Sequence, residues 1–397
     1  MEKKRRKNKQ ICPYCGDAPT NHKFLYFSGL FSVFLDPLFM KMTRLIPTFF
    51  VSGAEYLLTF FFNISCFLKF IKFSDDIEKS VTLRSKIIWE EAKRRKIEME
   101  QVVVFGKYTD NFRARLKGKD IYFNSLPIIA NFYRPDEKWD DKFFIKKAFQ
   151  GESIPIPLYE VVPFSKQKRK FIFEKFSKPI IVKPRVGSRG RHTTTNIYTF
   201  SDFQKAYKLA TMIYPQAIME EHLSGYVCRA TCVDGKLVGF YRAEPASIIG
   251  DGKKKIIELI EEKNKNKLER VENVKIEEEL ISFIKRKGYD IFDVLPLNTK
   301  IDLSHRIGRL FGGITKEMLD ELHPSFFPVL EKVGRITNLP VVGIDCIIPN
   351  PEDEEKNQNW GIIECNTLPF IDLHYFALEG KPKNIAGMIW DLCAKSI

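Results

Sequence analysis

The sequence contains no GxxxxGK[ST] pattern, no second CxxC motif and no secretory signal at its start. The first absence excludes a Walker-type phosphate loop, and the second excludes a zinc ribbon built from two cysteine pairs. The eight cysteines form no repeating framework in 397 residues, which argues against a disulfide scaffold. The cysteine usage therefore predicts a reducing, cytoplasmic environment.

The sequence has fewer acidic than basic residues, 50 Asp and Glu against 64 Lys and Arg, so the chain carries a formal net charge of +14. A hydrophobic content of 44% provides for a large core, and the length predicts two or three structural units. Much of the basic excess lies in the first ten residues. Because this is a tail, and not a basic patch with interleaved aromatic residues on a known module, no specific nucleic-acid partner is expected.

Residues 1–22 form this basic tail, which contains one CxxC knuckle at Cys12 and Cys15, with His22 seven residues further on. A tetrahedral zinc site needs four ligands, and the knuckle supplies two. Two alternatives stay open: Zn²⁺ at Cys12 and Cys15, completed by His22 or by another chain, or a knuckle without metal. The missing second motif favours the knuckle without metal.

Residues 23–74 form a hydrophobic segment, predicted to be helical, that is unusually rich in phenylalanine. The run IPTFFVSGAEYLLTFFFNISCFL has one charge, Glu55, over 23 residues and is long enough to cross a bilayer. Glu55 would cost about 2.5 to 3.5 kcal/mol near the bilayer centre. The alternatives are peripheral contact of residues 24–72 with the inner face of the membrane, insertion, and a helical cap on the protein itself. The basic tail favours peripheral contact.

Helix and strand patterns alternate beyond this segment and predict an N-terminal α/β subdomain over residues 75–138. LRSKIIWEEAKRRK has the apolar spacing of a helix, while QVVVFG and KDIYFNSLP have the pattern of strands. WDDKFFIKKAFQGESIPIP, at residues 139–157, predicts a helix that ends at Gly151 and two prolines.

The segment IVKPRVGSRG, at residues 181–190, joins a short apolar strand to a glycine-rich loop. Glycine allows successive amide groups to point into one concavity, where they bind phosphate oxygens. Lys183 would add a positive charge at the strand end. A surface hairpin with ordinary turn glycines is the alternative. The loop residues that would contact phosphate are Gly187, Ser188 and Gly190.

Two later segments could contribute to the same chemistry. AIMEEHLSG, at residues 217–225, predicts a strand that presents backbone groups to an adenine edge. The next two strands are joined by a hairpin turn at Asp234 and Gly235 and carry Arg229 and Arg242. Two converging arginines suit a phosphoryl group or a carboxylate, although surface pairing with carboxylates is an alternative.

Hard metal ligands lie near the C-terminus, on the strands LPVVGIDCII and NWGIIECNT. Side chains alternate along a strand, so Glu364 and Asn366 point one way and Cys365 points the other. If the two strands pair, Asp345 lies across from them. Carboxylates are rarely buried unless they are paired or bind a cation, so Asp345, Glu364 and Asn366 predict a magnesium site.

From about Lys86 onward the sequence resembles the ATP-grasp family. It looks most like the ATP-grasp modules of cyanophycin synthetases and bifunctional glutathione synthetases. The ordered segments that carry the resemblance include DDKFFIKKAFQGESIPIP, IVKPRVGSRG, MEEHLSG, VVGIDCII and ECNTLPFIDLH. The resemblance implies an α/β (α+β) chain with an ATP-grasp fold over residues 139–397, a lid at about 178–224, and the hydrophobic helical N-terminal extension outside that fold.

The resemblance also implies roles for individual residues. Lys142 and Lys183 would contact phosphates of ATP under the loop from Arg185 to Arg191. Glu220 and Leu223 would lie at the adenine. Arg242 and Arg229 would steady an acyl phosphate, and Asp345, Glu364 and Asn366 would hold two Mg²⁺ ions, with Mn²⁺ as an alternative.

The implied activity is a carboxylate–amine ligase that joins a small carboxylate and an amine through an acyl phosphate. Val227 stands where this family usually carries an acidic residue, and the resemblance names neither the substrates nor the oligomeric state. The sequence is expected to lack both the Mur-ligase-like module of cyanophycin synthetases and the glutamate–cysteine ligase module of bifunctional glutathione synthetases, so the resemblance does not extend to cyanophycin or glutathione as the product. The alternative function is a degenerate nucleotide-binding scaffold at a membrane surface.

Overall fold

The computed structural model describes residues 12–15, 21–31, 70–128, 139–187 and 190–397. Residues 22–31 are helical, whereas the rest of the phenylalanine-rich segment up to residue 69 lies outside the described residues. The prediction of membrane contact therefore falls mostly outside them as well. Within the described ranges, no helix combines the length and the apolar content needed to cross a bilayer.

Strands and helices alternate along the described chain. The strands are β1 (Ile71–Ser74), β2 (Glu98–Val104), β3 (Lys107–Leu116), β4 (Lys119–Asn124), β5 (Tyr159–Val161), β6 (Ile180–Pro184), β7 (Thr194–Ile197), β8 (Ala217–Glu221), β9 (Tyr226–Val233), β10 (Lys236–Ala243), β11 (Pro245–Ile249), β12 (Lys300–Ile307), β13 (Thr315–Glu317), β14 (Val341–Ile348) and β15 (Gly361–Asn366). The helices beyond residue 70, short 3₁₀ turns apart, are α1 (Leu83–Arg94), α2 (Lys142–Gln150), α3 (Lys166–Lys175), α4 (Phe200–Ala210), α5 (Ile256–Lys265), α6 (Glu278–Arg286), α7 (Phe326–Thr337), α8 (Asp372–Tyr375) and α9 (Ile385–Lys395).

The chain divides into two compact units, each assembled from several stretches of sequence. Unit 1 takes its described residues from Met1–Phe34, Pro157–Leu223 and Ala243–Ile314. Unit 2 takes its described residues from Leu35–Ile156, Ser224–Arg242 and Thr315–Ile397.

Unit 1 contains a four-stranded sheet in the order β5-β8-β6-β7, with antiparallel neighbours. Helices α3 and α4 cover this sheet with Phe173, Phe203 and Ala206, which join the apolar residues of β6 and β8 in one core. A second core surrounds the pair β11–β12, where α5 and α6 contribute Ile256, Ile260 and other aliphatic residues.

Unit 2 contains a five-stranded sheet in the order β13-β10-β9-β14-β15. One face packs on α2 and α7, and it supplies Cys228, Ala230 and Ile344 to a large apolar core. Side chains alternate along each strand, so the neighbouring residues point to the other face. That face is apolar at one end, where Val233 and Val341 join the core formed with α1 and α9.

The antiparallel sheet β1-β2-β3-β4 belongs to the same unit. Strands β2 and β4 match the predicted strands, but β3 was missed in the sequence. It alternates buried Phe112 and Ala114 with the charged Arg113 and Arg115, so its apolar content is low. The sheet packs with α1 and α9 through Trp89, Phe112 and Trp390, among other residues.

Helix α2 begins and ends close to where the sequence predicts. Asp141 caps it, because its Oδ1 accepts hydrogen bonds from the amides of Phe143 and Phe144 at 2.9 and 3.3 Å. Gly151 follows the last helical residue as the C-cap. This cap fixes Lys142 as the first residue of the helix, which decides where its side chain is presented.

Candidate functional site

A row of three charged residues crosses the five-stranded sheet of unit 2. Arg229 of β9 lies opposite Asp345 of β14, and Asp345 in turn lies opposite Glu364 of β15. Directly opposed residues of antiparallel strands share one face of a sheet. The strands thus bring Arg229, Asp345 and Glu364 together, although Arg229 is more than 100 residues from either carboxylate in sequence.

Arg229 and Asp345 form a bidentate ion pair. Arg229 donates from Nε to Oδ1 and from Nη2 to Oδ2 of Asp345, both at 2.6 Å. Burial on its own would lower the pKa of Arg229, but the Asp345 carboxylate outweighs burial and raises this pKa above its usual value. Arg229 is therefore a permanent cation, and its planar group fixes both oxygens of Asp345.

Glu364 and Asn366 lie on the same side of β15. The Lys142 ammonium, at the start of α2, lies 3.3 Å from Oε2 of Glu364. Asn366 donates from Nδ2 to Oδ2 of Asp345 at 3.1 Å. The strand pairing shifts register between Asp345 and Cys346, and such bulges change the direction of neighbouring side chains.

Cys365 points to the opposite face and is fully buried in the apolar core behind the sheet. The predicted alternation of Glu364, Cys365 and Asn366 is therefore present in the structure. The resulting cluster of Lys142, Arg229, Asp345, Glu364 and Asn366 contains two cations, two carboxylates and one amide. Its oxygen atoms are hard donors of the kind that Mg²⁺ prefers.

The predicted phosphate residues Lys183 and Glu220 lie in unit 1. Lys183 is on β6 and Glu220 on β8, and the Lys183 Nζ lies 2.8 Å from Oε2 of Glu220. Both side chains are almost fully buried. Removing either partner would break a buried ion pair, which is costly inside a protein. Leu223 is also buried, just beyond the end of β8.

The glycine-rich loop follows β6. Gly190 has a φ of +63°, and a Cβ at this position would lie 3.3 Å from Nε2 of His305. Its carbonyl oxygen accepts a hydrogen bond from that nitrogen at 3.2 Å. Glycine is thus favoured at Gly190 by its left-handed backbone conformation and by the close approach of the His305 ring. Gly187 lies near the other end of the loop, whereas Ser188 lies outside the described residues.

Arg242, on β10 of unit 2, places its guanidinium carbon 4.4 Å from the centroid of the Tyr226 ring. The predicted site residues therefore form two groups, each within its own unit. Lys183, Gly187, Gly190, Glu220 and Leu223 belong to unit 1. Lys142, Arg229, Arg242, Asp345, Glu364 and Asn366 belong to unit 2.

One residue of potential functional importance escaped the sequence interpretation. His192 brings its ring to Cys12, Cys15 and His22, all within unit 1. The sequence contains only six histidines, and this one follows the glycine-rich loop in the string RGRHTT. Scarcity alone could have marked His192 for attention, but no spacing rule connects it to a knuckle 177 residues away.

Comparison with curated proteins finds two classes of relative. The chain is 30% identical over 258 residues to a cyanophycin synthetase of Trichormus variabilis, a match that covers 64% of the chain and 29% of that protein. It is 29% identical over 264 residues to the glutathione biosynthesis bifunctional protein GshAB of Clostridium perfringens, which covers 64% of the chain and 34% of that protein. The matches thus span about a third of these relatives' own length. No protein-family model matches the chain.

Among solved structures, a bifunctional glutathione synthetase from Pasteurella multocida matches 80% of the chain and 44% of its own length. The TM-score is 0.53 at 18% identity, so this likeness concerns the fold. The relatives thus include both classes of protein that the sequence resembles, cyanophycin synthetases and bifunctional glutathione synthetases. A bifunctional glutathione synthetase also has a similar fold. These similarities confirm the resemblance of the chain to the ATP-grasp ligase family.

Proposed function

We propose that this chain is an ATP-dependent carboxylate–amine ligase that forms an amide or peptide bond on an amino acid or peptide. The observation that carries the proposal is the row of Arg229, Asp345 and Glu364, which is completed by Lys142 and Asn366. Charged side chains on largely apolar strands are rarely buried unless they pair with one another, as Arg229 and Asp345 do, or coordinate a cation. The similarity to relatives over 64% of the chain supports the choice of ligase chemistry.

The residues present fit magnesium. Asp345 and Glu364 are directly opposed, and Asn366 contacts Asp345, so carboxylate and amide oxygens converge from two neighbouring strands. When bound, Mg²⁺ would neutralise phosphate charge and polarise the transferred phosphoryl group. The side chains proposed to hold the two ions are Asp345, Glu364 and Asn366, and Mn²⁺ has the same preference for oxygen ligands.

Arg229 acts in this proposal as a positioning residue. Both of its hydrogen bonds to Asp345 are short, so the Nε and Nη2 edge of the guanidinium is already engaged by a carboxylate. It fixes the orientation of Asp345 and limits the negative charge of the row. Arg242, whose guanidinium group packs on the Tyr226 ring, is the side chain proposed to contact an acyl phosphate, as the resemblance to the ATP-grasp family implies.

The lysines have a different role. Lys183 would place its ammonium group on ATP phosphates, and Glu220 would keep that group oriented until the nucleotide arrives. The amides of the loop at Gly187, Ser188 and Gly190 would bind the phosphate oxygens. Lys142, beside Glu364, would provide a second positive charge to phosphate.

The reaction balances in two steps. A carboxylate oxygen of the substrate forms a bond to the γ-phosphorus of ATP while the bond from that phosphorus to the β,γ-bridging oxygen breaks, which yields an acyl phosphate and ADP. A neutral amine then attacks the acyl carbon, phosphate leaves with its bonding electrons, and the amine proton passes to solvent. The protein's part in both steps is to position the groups and neutralise charge.

The test is a phosphate-release screen of the full chain with ATP and Mg²⁺ over amino acids and short peptides, with product masses. Glu364→Gln and Lys183→Ala serve as site variants, and Lys332→Ala serves as the control because its pair with Glu152 is half exposed. We expect substrate-dependent phosphate and a condensed product that both site variants lose. Equal activity of the site variants and wild type would overturn the assignment, whereas tight ATP binding without turnover would favour the scaffold.

A further inference from the structure

Four potential metal ligands of unit 1 converge on one point. Cys12, Cys15, His22 and His192 each offer one ligand atom, and these atoms all lie within 4.8 Å of one another. The Sγ of Cys15 lies 3.0 Å from Nε2 of His22 and 3.4 Å from Nε2 of His192. The Sγ of Cys12 lies 3.7 Å from Nε2 of His192.

These separations match those of a tetrahedral zinc site. With Zn–S bonds of about 2.3 Å and Zn–N bonds of about 2.0 Å, tetrahedral geometry places a sulfur about 3.5 Å from a nitrogen. The three sulfur–nitrogen distances, 3.0, 3.4 and 3.7 Å, bracket that value. A set of two thiolates and two imidazoles is a common ligand combination of structural zinc.

The ring of His192 is already oriented for metal binding. Its Nδ1 donates a hydrogen bond to the carbonyl oxygen of Leu209 at 2.8 Å. In the neutral ring this leaves the lone pair on Nε2, the nitrogen that faces both sulfurs. Metal-bound histidines usually donate their other ring nitrogen to a carbonyl or carboxylate in this way, which fixes the tautomer.

The backbone at His192 provides an independent observation. Its φ of +53° lies in the left-handed region, which is uncommon for residues other than glycine. Such strain persists only where the surroundings impose it, and it is concentrated at functional sites. In this protein the amide of His192 donates to the carbonyl of Tyr14 at 3.4 Å, and Arg306 donates to the same oxygen at 3.2 Å. The knuckle is therefore held directly against His192.

The helix that begins at His22 is also packed closely against other residues of unit 1. His22 begins the helical residues 22–31, and Gly29 of this helix is buried. A Cβ at Gly29 would lie 2.7 Å from Cδ of Pro215 and 2.8 Å from Cδ2 of Tyr214. The helix thus approaches Tyr214 and Pro215 through a glycine that leaves no room for a side chain, and this contact helps to fix the position of His22.

We propose that Cys12, Cys15, His22 and His192 bind one structural Zn²⁺ ion. Both thiols would lose their protons to solvent on binding, so the ion and its two thiolates would form an electrically neutral centre with two neutral imidazoles. All four positions would be filled by protein, as in structural rather than catalytic zinc sites. This inference does not depend on the proposed ligase activity.

The ion would attach the N-terminal segment to a particular place in unit 1. His192 follows Gly190 by two residues and precedes β7, which begins at Thr194. Zinc would therefore fix one end of the glycine-rich loop to the knuckle. Because Cys15 and His192 are 177 residues apart and meet only in the folded chain, zinc would stabilise the folded state over the unfolded one.

The first experiment measures zinc in the full-length protein after dialysis against a weak chelator, followed by replacement with Co²⁺. We expect one zinc per chain and a cobalt spectrum with tetrahedral bands and thiolate charge transfer. His192→Asn is the most informative variant, because asparagine tolerates a positive φ but removes the imidazole. Cys15→Ser and His22→Ala test the other ligands, and Cys393→Ser, a buried free thiol of unit 2, is the matched control.

Each cluster variant should bind zinc at least tenfold more weakly, with the control unchanged. A wild-type protein without zinc would overturn the proposal, and so would His192→Asn with wild-type affinity and spectrum. If the variants fail to fold, the proposal can still be tested on the wild-type protein. Cysteine alkylation is then mapped by mass spectrometry before and after the metal is removed with a chelator. Chelation should expose Cys12 and Cys15 to alkylation and leave Cys393 unchanged. Equal modification before and after chelation would contradict the site.

Discussion

Arg229 and Asp345 lie opposite each other on neighbouring antiparallel strands and share two hydrogen bonds of 2.6 Å. Asn366 adds a third contact to the same carboxylate at 3.1 Å. The orientation of Asp345 is thus determined by the sheet itself. This matters for the proposed metal role, because a preoriented carboxylate loses little conformational freedom when it binds an ion.

The ion pair should make a measurable contribution to stability. Arg229→Met leaves the largely buried Asp345 carboxylate without its cation, so the free energy of unfolding should fall by roughly 3 kcal/mol. The double variant Arg229→Met/Asp345→Asn should recover much of this loss, since no unpaired charge remains. Urea unfolding of the three proteins measures both effects.

Arg115→Met provides the control for this comparison. Arg115 pairs with Asp120 across the antiparallel strands β3 and β4, but the arginine side chain is 57% exposed. Exposed pairs contribute at most about 1 kcal/mol. If Arg115→Met and Arg229→Met lower the free energy of unfolding equally, the prediction that the buried pair contributes more to stability is wrong.

Glu364 offers the most direct test of the metal hypothesis. Glu364→Gln keeps the size of the side chain but removes its charge, so the Mg²⁺ concentration required for half-maximal ATP turnover should rise. At saturating Mg²⁺ the rate should still fall by roughly 100-fold, the usual scale for losing one electrostatic contact to a transition state. Steady-state kinetics against Mg²⁺ and Mn²⁺ provide the measurement.

Glu352→Gln is the matched control for Glu364→Gln. Glu352 is exposed in the acidic loop that joins the same two strands, and therefore tests the loss of one negative charge nearby. Its metal dependence should remain that of the wild type. Parallel changes in the two variants would attribute the effect to general charge and contradict a specific role of Glu364.

Much of the charged row could be predicted from the sequence because it depends on local rules. Alternation along a strand puts Glu364 and Asn366 on one face, and the short connection between two apolar strands predicts that they pair. The pairing in the structure, with Asp345 opposite Glu364, agrees with that expectation. The bidentate contact of Arg229 could not be predicted, because it requires the register of β9 against β14.

His192 illustrates the limit of sequence patterns more strongly. Its contact with Cys12 spans 180 residues, and no periodicity or spacing rule extends that far. Its positive φ could not be predicted either, because only a few per cent of residues other than glycine have a positive φ, even though histidine is enriched among them. Strand β3 was missed for a different reason: its fully buried apolar residues are only Phe112 and Ala114, and they alternate with arginines.

Lys183 and Glu220 allow nucleotide binding to be separated from folding. Lys183→Met leaves Glu220 buried without its cation and should lower both stability and ATP affinity. In Lys183→Met/Glu220→Gln neither charge of this pair remains, so much of the stability should return. ATP affinity should stay reduced by roughly 10- to 100-fold, since a charged hydrogen bond contributes about 1.5 to 3 kcal/mol.

Nucleotide titration by calorimetry, combined with urea unfolding, distinguishes the two effects. If ATP affinity returns together with stability in the double variant, Lys183 supports the fold and does not bind phosphate. Lys205→Met is a suitable control, because Lys205 is 75% exposed on α4 of the same unit. It should change neither quantity.

A buried polar network on the same face of the sheet as Arg229 predicts that Gly239 cannot be replaced by alanine without cost. His374 donates from Nδ1 to Oε2 of Glu317 at 2.5 Å, and its Nε2 lies 2.8 Å from Oγ1 of Thr231. A Cβ on Gly239 would lie 2.7 Å from that Nδ1. Gly239→Ala should therefore displace the imidazole and lower the free energy of unfolding by about 1 to 3 kcal/mol.

Gly151→Ala separates this steric effect from the backbone effect of replacing glycine. No heavy atom lies within 4 Å of a Cβ at Gly151, and its φ of −73° is accessible to alanine. Its free energy of unfolding should remain unchanged or rise by up to about 1 kcal/mol, because alanine restricts the unfolded chain. Thermal and urea unfolding of both variants give the comparison, and a Gly239→Ala protein as stable as Gly151→Ala would show that the network accommodates the methyl group.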